Sequence, residues 1–258
     1  MQTSNFHTHT WRCFHASGTE REYVEEAVKA GFTHLGFSDH APYVFEDGYY
    51  SNFRMRHEDI ASYFEVLGAL REEFADKISI HIGFEAEYYP KFFEGFRSLI
   101  SAYPVEYLLM GQHFPGNEIG EAGSMKYTLD ADRLKLYCEQ VCEGIATGAY
   151  ACVAHPDVLN FQGEERAFVR EMTKICETAK KYNTALEINL LGIRTNRNYP
   201  REEFFEIAGG VGNVIICGSD AHSPDAVHDE PSFTKAMEWA QKYKLDLRDS
   251  SWILTRGK

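Results

Sequence analysis

The sequence predicts an α/β fold, and within that class a TIM-like barrel of seven parallel strands with helices between them. Three observations carry the prediction. Short apolar and β-branched runs alternate with helix-patterned stretches along the whole chain. Six clusters of metal-ligand residue types each close one of those runs. They are Asn5-Phe6-His7-Thr8-His9, Ser38-Asp39-His40, Gly83-Phe84-Glu85, Gly111-Gln112-His113, Ala154-His155-Pro156-Asp157 and Ser219-Asp220-Ala221-His222. Ligands from so many strand ends can meet only if the sheet curls shut, and barrels of this kind carry their chemistry at the carboxyl ends of the strands. Finally, no Gly-x-Gly-x-x-Gly follows the first strand, so an open dinucleotide-binding sheet is not signalled.

Strands are expected over residues 4–7, 34–38, 78–84, 107–111, 151–154, 185–189 and 214–218. Several are continuous apolar runs of the type that a parallel sheet buries on both faces. Between the first two, Thr19 and Glu22 form a capping box and Gly31 stops the helix. Ile60, Tyr63, Phe64, Leu67, Leu70 and Phe74 then recur at helical spacing. Asp130 can cap a helix carrying Leu134, Tyr137, Val141 and Ile145, with Gly148 past its end. Phe168, Met172, Ile175 and Ala179 mark the next helix, and Phe204, Phe205 and Ile207 a shorter one. Phe233, Met237 and Ala240 mark the last; all these stripes are read as core. The irregular stretches 41–56 and 114–128 follow strand ends, which places them over the mouth. No linker or repeat interrupts the pattern, so residues 1–258 are expected to form a single domain.

The composition, 44% apolar and 25% charged, is ordinary for a globular protein with a filled core. No run of about 18 apolar residues appears, so no membrane span is expected. Residues Met1-Gln2-Thr3-Ser4-Asn5 lack the basic and apolar regions of a secretory signal. Cys13, Cys138, Cys142, Cys152, Cys176 and Cys217 form no CxxC pair, which fits reduced thiols and a cytoplasmic location. Cys13 alone lies near a ligand cluster, as a minor candidate. A net charge of −13 weighs against nucleic acid and anionic membrane as partners. It leaves room for a small phosphorylated substrate, because three divalent ions would add about six positive charges to the pocket. Oligomeric state is not legible in the sequence.

Imidazole and carboxylate are the side chains that hold divalent transition ions, and zinc, manganese, iron and cobalt all accept them. In His7-x-His9 alternate residues of an extended segment point the same way, so both rings can grip one ion. Asp220-x-His222 repeats the spacing, on the strand that must neighbour the first if the barrel closes. His40, Glu85, His113 and His155 end the second to fifth strands, and a glutamate at the third can bridge two ions. Asp39 is expected to accept from the ring of His40, and Glu87 is a weaker ligand candidate. Position alone leaves His15 undecided between ligand and loop residue. His34, His57, His81 and His228 are read as structural or solvated.

Taken in this order, from His7 to His222, these residues resemble the PHP family, named for polymerase and histidinol phosphatase. The resemblance implies a distorted (β/α)7 barrel holding two or three divalent ions. By matched position, one ion takes His7, His9, Glu85 and Asp220, a second shares Glu85 with His113 and His155, and a third takes His15, His40 and His222. Within the family the chain is most similar to the monofunctional L-histidinol-phosphate phosphatases. It lacks a polymerase domain and carries Glu187-Ile188-Asn189 at the sixth strand, followed by Gly192, Arg194 and Tyr199-Pro200.

The expected chemistry is hydrolysis of a phosphate monoester, L-histidinol phosphate in histidine biosynthesis, by a metal-bridging hydroxide. Arg194 is expected to fork the phosphate, with Arg197 second, because guanidinium matches phosphate geometry. Glu187 is expected to face the pocket, where it could hold a substrate ammonium or orient a ligand. The third ion, Asp220 or His222 could serve the leaving alkoxide. The alternatives are another small phosphate ester, a phosphodiester or nucleotide, and phosphotyrosine. A non-catalytic metal binder and a C–N hydrolase with a carbamylated lysine are further from the residue pattern.

Overall fold

The computed structural model of the protein describes residues 2–255. Seven of its strands lie where the apolar runs predict them: β1 (Ser4–Asn5), β2 (His34–His40), β3 (Ser79–Glu85), β4 (Tyr107–Met110), β5 (Cys152–Val153), β6 (Ala185–Asn189) and β7 (Val214–Gly218). Every neighbouring pair is parallel, and the spatial order follows the chain order. Such an order needs a right-handed crossover between each pair, which the helices supply.

Past the ends of β1 and β7 the two edges meet at a parallel bridge between Thr8 and Ala221. His9 N–H donates to the Ala221 carbonyl at 2.9 Å, and Ala221 N–H to the His7 carbonyl at 3.1 Å. The seam is therefore closed at its carboxyl end, one residue from each ligand pair. At its amino end it is wedged open by a strand the sequence did not reveal, β8 (Asp246–Leu247), which pairs with Val214 and Ile215 of β7. The hydroxyls of Thr3 and Ser4 donate to Asp249 just beyond it, at 2.7 Å each. Two half-buried residues give no periodic signal, so this eighth strand corrects the expected seven.

The helices wrap the outside. The capping box of Thr19 and Glu22 starts α1 (Glu20–Lys29) with both of its hydrogen bonds made. The stripe from Ile60 onward lies on α2 (Ile60–Glu73). A short α3 (Phe93–Ile100), unforeseen, buries Phe93, Phe96 and Ile100. Asp130 caps α4 (Ala131–Ala146), and α5 (Glu165–Lys181) buries its expected face. The single-turn α6 (Leu190–Arg194), also unforeseen, is capped by Asn189 straight off β6. Phe204 and Phe205 anchor α7 (Glu202–Val211). In α8 (Glu230–Lys242) the buried face is Ser232, Ala236 and Trp239, while Met237 is exposed. The predicted face there was one residue out of phase, because the indole outweighs the methionine in burial.

Candidate metal centre

Six of the strands, β1 to β5 and β7, lead into expected ligand side chains at the carboxyl mouth. At the end of β1, Asn5 ties the segment that follows to the end of β7. Its amide oxygen accepts from the N–H of His7 and of Ser219, and its amide nitrogen donates to the Thr8 hydroxyl at 2.8 Å. His155 and Asp220 leave β5 and β7 in the left-handed region, with φ of 31° and 47°. Non-glycine residues pay for that conformation in strain, which the surroundings must hold in place. Glu187 does so for His155 by accepting its backbone N–H at 3.0 Å.

Two glycines make room for the acids. A Cβ on Gly111 would sit 2.0 Å from Oε1 of Glu85, and one on Gly218 would sit 1.7 Å from Oε1 of Glu187. Neither strand end could accept a side chain without expelling a carboxylate.

Glu85 lies at the centre, 1% exposed. Its Oε2 is 3.5 Å from Nε2 of both His7 and His9 and 3.1 Å from Nδ1 of His40. Its Oε1 is 2.8 Å from Nε2 of His155 and 3.5 Å from Nε2 of His113. Asp220 Oδ1 is 3.2 Å from Nε2 of His9 and 3.6 Å from Nε2 of His7. Nearer the rim, Nε2 of His222 lies 3.0 Å from Nε2 of His15, and the His9 ring lies 4.3 Å from that of His40 and 4.1 Å from that of His222. All nine residues expected as ligands are thus gathered, His15 included.

A second layer aims these rings. Glu187 accepts from Nδ1 of His7 at 2.8 Å, and Glu87 from Nδ1 of His113 at 2.8 Å. A carboxylate on the far nitrogen fixes the tautomer that leaves Nε2 free to coordinate. Glu87 is thus placed to orient His113, its other oxygen being taken by Arg54. Asp39, expected behind His40, instead lies 3.5 Å from Nδ1 of His9 and accepts from the Thr10 N–H and hydroxyl. Its backbone register points it at the first strand and away from its own neighbour's ring.

The donor set fits divalent ions. His7 Nε2, both nitrogens of His9, His40 Nδ1 and Glu85 Oε2 are buried without a hydrogen-bond partner, all within this cluster. An unmet buried polar group costs roughly 1–3 kcal/mol, so five such atoms in one place describe coordination sites. His7, His9 and Asp220 offer atoms within 4.8 Å of one another, as do His7, Glu85 and His155, and also His9, His40 and His222.

The electrostatics follow from the same crowding. Burial works against a charge on His7, yet Glu187, Asp220 and Glu85 raise it well above the usual imidazole range. His9 is likewise raised to about 9 against its own burial, by Asp220 and Asp39. For His222, burial and the charge of His9 act together and push it down to about 3. Glu85 and Asp220 are held well below the carboxylate range, because the surrounding histidines outweigh desolvation.

A cavity of about 420 Å³ opens above this floor. Glu85, Asp220 and His15, His40, His113, His155 and His222 line its base; Phe53, Phe114, Met125, Val158, Leu191 and Tyr199 line its wall, with Arg197 among them. Two expectations are corrected here. Arg194 is not a lining residue: it donates to the carbonyls of Ser219 and Asp220, at 2.7 and 3.0 Å, and so holds the turn after β7. Glu187 sits behind His7 with its oxygens taken by His7, His155 and Asn189, which excludes a substrate ammonium and leaves the orienting role. Phe53, Phe114 and Met125 were missed as lining residues, since loop aromatics at no fixed spacing carry no signal. His34 and His81 pair with each other at the opposite end of the barrel, and His57 and His228 lie near surface acids, as expected.

Fold and site together define a parallel α/β barrel with imidazole and carboxylate donors for several cations at its mouth. The PHP domain model matches residues 5–190, and the chain belongs to that family. Asp220 and His222 lie beyond the matched residues; the closed seam is what sets them against His7 and His9. A probable histidinol-phosphatase of Deinococcus radiodurans is 27% identical over 227 residues, 86% of each chain. The crystal structure of histidinol phosphate phosphatase from Lactococcus lactis, complexed with zinc, L-histidinol and phosphate, gives a TM-score of 0.72 over 95% of each chain at 20% identity. A chain from the structures of metal-dependent tyrosine phosphatases of Bacillus subtilis and Streptococcus pneumoniae gives 0.51 at 14% identity, over 93% of this chain and 86% of that one.

Proposed function

We propose that the protein is a metal-dependent phosphomonoesterase that hydrolyses L-histidinol phosphate to L-histidinol and phosphate. The observation that carries this is the cluster of unpartnered buried donors around Glu85, open to a pocket sized for a small ester. The Deinococcus relative, similar over most of its length, supports the substrate. In this reading one ion is held by His7, His9, Glu85 and Asp220, a second by Glu85, His113 and His155, and a third by His15, His40 and His222. Bound zinc, manganese or iron supplies Lewis-acid charge for the phosphoryl oxygens and lowers the pKa of water.

The chain's own residues do the rest. Asp220 is ionised, and its Oδ2 is steadied by the Asn189 amide at 3.1 Å. His222 is neutral at the rim. Neither holds a proton to give at neutral pH. Asp220, whose Oδ2 accepts from the Asn189 amide, is placed to take one proton from the attacking water and return it to the leaving alkoxide. His222, with Nδ1 on the Asp220 carbonyl and its other nitrogen for the third ion, would act as a ligand. Arg197 donates one N–H to the Tyr199 hydroxyl at 2.7 Å, which steadies the guanidinium for the phosphate with its remaining donors. Phe53 and Phe114 offer ring faces to a flat leaving group.

A single domain in the cytoplasm, with neither nucleic acid nor membrane as partner, belongs to the same reading. The acidic charge and six cysteines with no CxxC pair among them support it, and among the described residues no helix is long and apolar enough to cross a membrane. One observation favours a second substrate: Glu85 and Asp220 are the only acids lining the cavity among the described residues, and both belong to the ion set, so an aromatic monoester such as phosphotyrosine would also fit. Phosphate release from histidinol phosphate, nucleotides, diesters and phosphotyrosine peptide by metal-supplemented enzyme decides between them. Selective release from histidinol phosphate is expected; faster turnover of any other would replace it as substrate.

A further inference from the structure

Outside the ligand set, the strongest cluster of charge is fully buried beside it. Arg54, in the loop after β2, is 1% exposed. Its guanidinium spans three loops. One nitrogen donates to the Ala41 carbonyl at 2.9 Å and to Glu87 Oε2 at 3.1 Å; another pairs with Glu118, from the loop after β4; Nε donates to the Ser51 hydroxyl at 3.0 Å. Ser51 and Tyr89 hydroxyls also donate to Glu118. Hydroxyls of Tyr43 and Tyr150 fix the Glu87 backbone carbonyl.

This arrangement does more than hold loops together. Glu87 has two oxygens with two separate tasks: Oε2 faces Arg54, and Oε1 accepts from Nδ1 of His113. The other nitrogen of His113 faces Glu85. Both oxygens of Glu87 are thus held, and the guanidinium on Oε2 fixes the direction in which Oε1 meets the His113 ring. A lysine could meet one acceptor as a point charge, whereas the guanidinium fork meets four at fixed angles.

We infer that Arg54 is a positioning residue for the metal centre: through Glu87 it fixes the ring orientation and tautomer of His113, and so sets the affinity of the ion that His113 and Glu85 hold. Arg54 touches neither substrate nor ion. The inference rests on His113 being a ligand, as in the function proposed above.

The test is a double-mutant cycle read by zinc affinity, from chelator competition, and by metal content. Arg54→Met and Glu87→Gln should each weaken one ion equivalent by about 10- to 100-fold, the range for lost orienting partners. The double variant should match Glu87→Gln alone, because Arg54 acts only through that carboxylate. Arg54→Lys, which keeps the charge, should recover part of the loss, and it replaces Arg54→Met in the cycle if the latter does not fold. Losses that multiply in the double variant would overturn the inference, as would a lowered melting temperature with every zinc affinity unchanged. Wild type serves as the control for the site itself: if it binds no ion, the ligand assignment fails first. If wild type binds ions while the cycle is additive, only the role of Arg54 fails.

Discussion

Strand β2 begins on one histidine and ends on another, and β3 carries His81 near its start and ends on Glu85. The two ends of the same strands have opposite fates. At the amino end, Nδ1 of His34 and Nε2 of His81 lie 3.1 Å apart and hydrogen-bond to each other, and the remaining His81 nitrogen meets Glu106 at 2.8 Å. That group is complete in itself and partly open to water. At the carboxyl end, His40 and Glu85 are buried, and each keeps an atom with no hydrogen-bond partner. His34 and His40 are the same residue type on one strand; what sets the candidate ligand apart from the structural histidine is burial combined with an unmet lone pair.

The contrast breaks most severely if Glu85 loses its charge. Glu85→Gln should lower kcat by about 10³-fold, the scale for a lost charge-stabilising group, with the circular dichroism spectrum unchanged. Turnover within tenfold of wild type would remove Glu85 from the centre. Gly111→Ala should come next. Its methyl group must displace Glu85, so zinc content should fall together with a stability loss of about 1–3 kcal/mol, measurable by denaturant titration.

Ion binding should also be visible in protons. His9 is raised to about 9, so it is charged in the ion-free protein at pH 8, and an ion can bind its nitrogen only after that proton leaves. A base with a raised pKa contributes stability that is complete below about 6.5 and is lost as pH climbs through about 9. The ion-free protein should therefore weaken from pH 7 to 10 while zinc affinity rises. Zinc added in weak buffer at pH 8 should acidify the solution; no proton release would contradict a charged His9.

Arg197→Met should raise KM by about tenfold with a smaller change in kcat, read from initial rates on histidinol phosphate. The mildest change sharpens the comparison from the other side. His81→Gln, at the amino end, should leave kcat within about twofold and stability within about 1 kcal/mol. A large loss of activity there would erase the distinction between the two ends.

Much of this was legible before any coordinates. Seven strands and eight of the nine expected ligand positions followed from apolar runs that end in histidine or acid, because strand chemistry is local and its period is short; His15, left undecided by position, entered only through the family resemblance. What escaped depended on contacts distant in sequence. Arg194 and Arg197 look alike in the chain, yet one is consumed by the Ser219 and Asp220 carbonyls and the other reaches the pocket. Asp39 and Glu87 could be named as acids near ligands, but which ring each aims depends on register and loop path. Arg54 sits in an irregular loop between Phe53 and Met55, where nothing in the sequence marks it as buried.

The seam between β1 and β7 has a consequence for how the protein is born. Asn5 and Ser219, bonded across it, are 214 positions apart. A ribosome therefore releases His7 and His9 long before Asp220. Until the seventh strand has emerged, the growing polypeptide holds most of its imidazoles without the carboxylate that completes their set, so the full donor set assembles only after that strand is made.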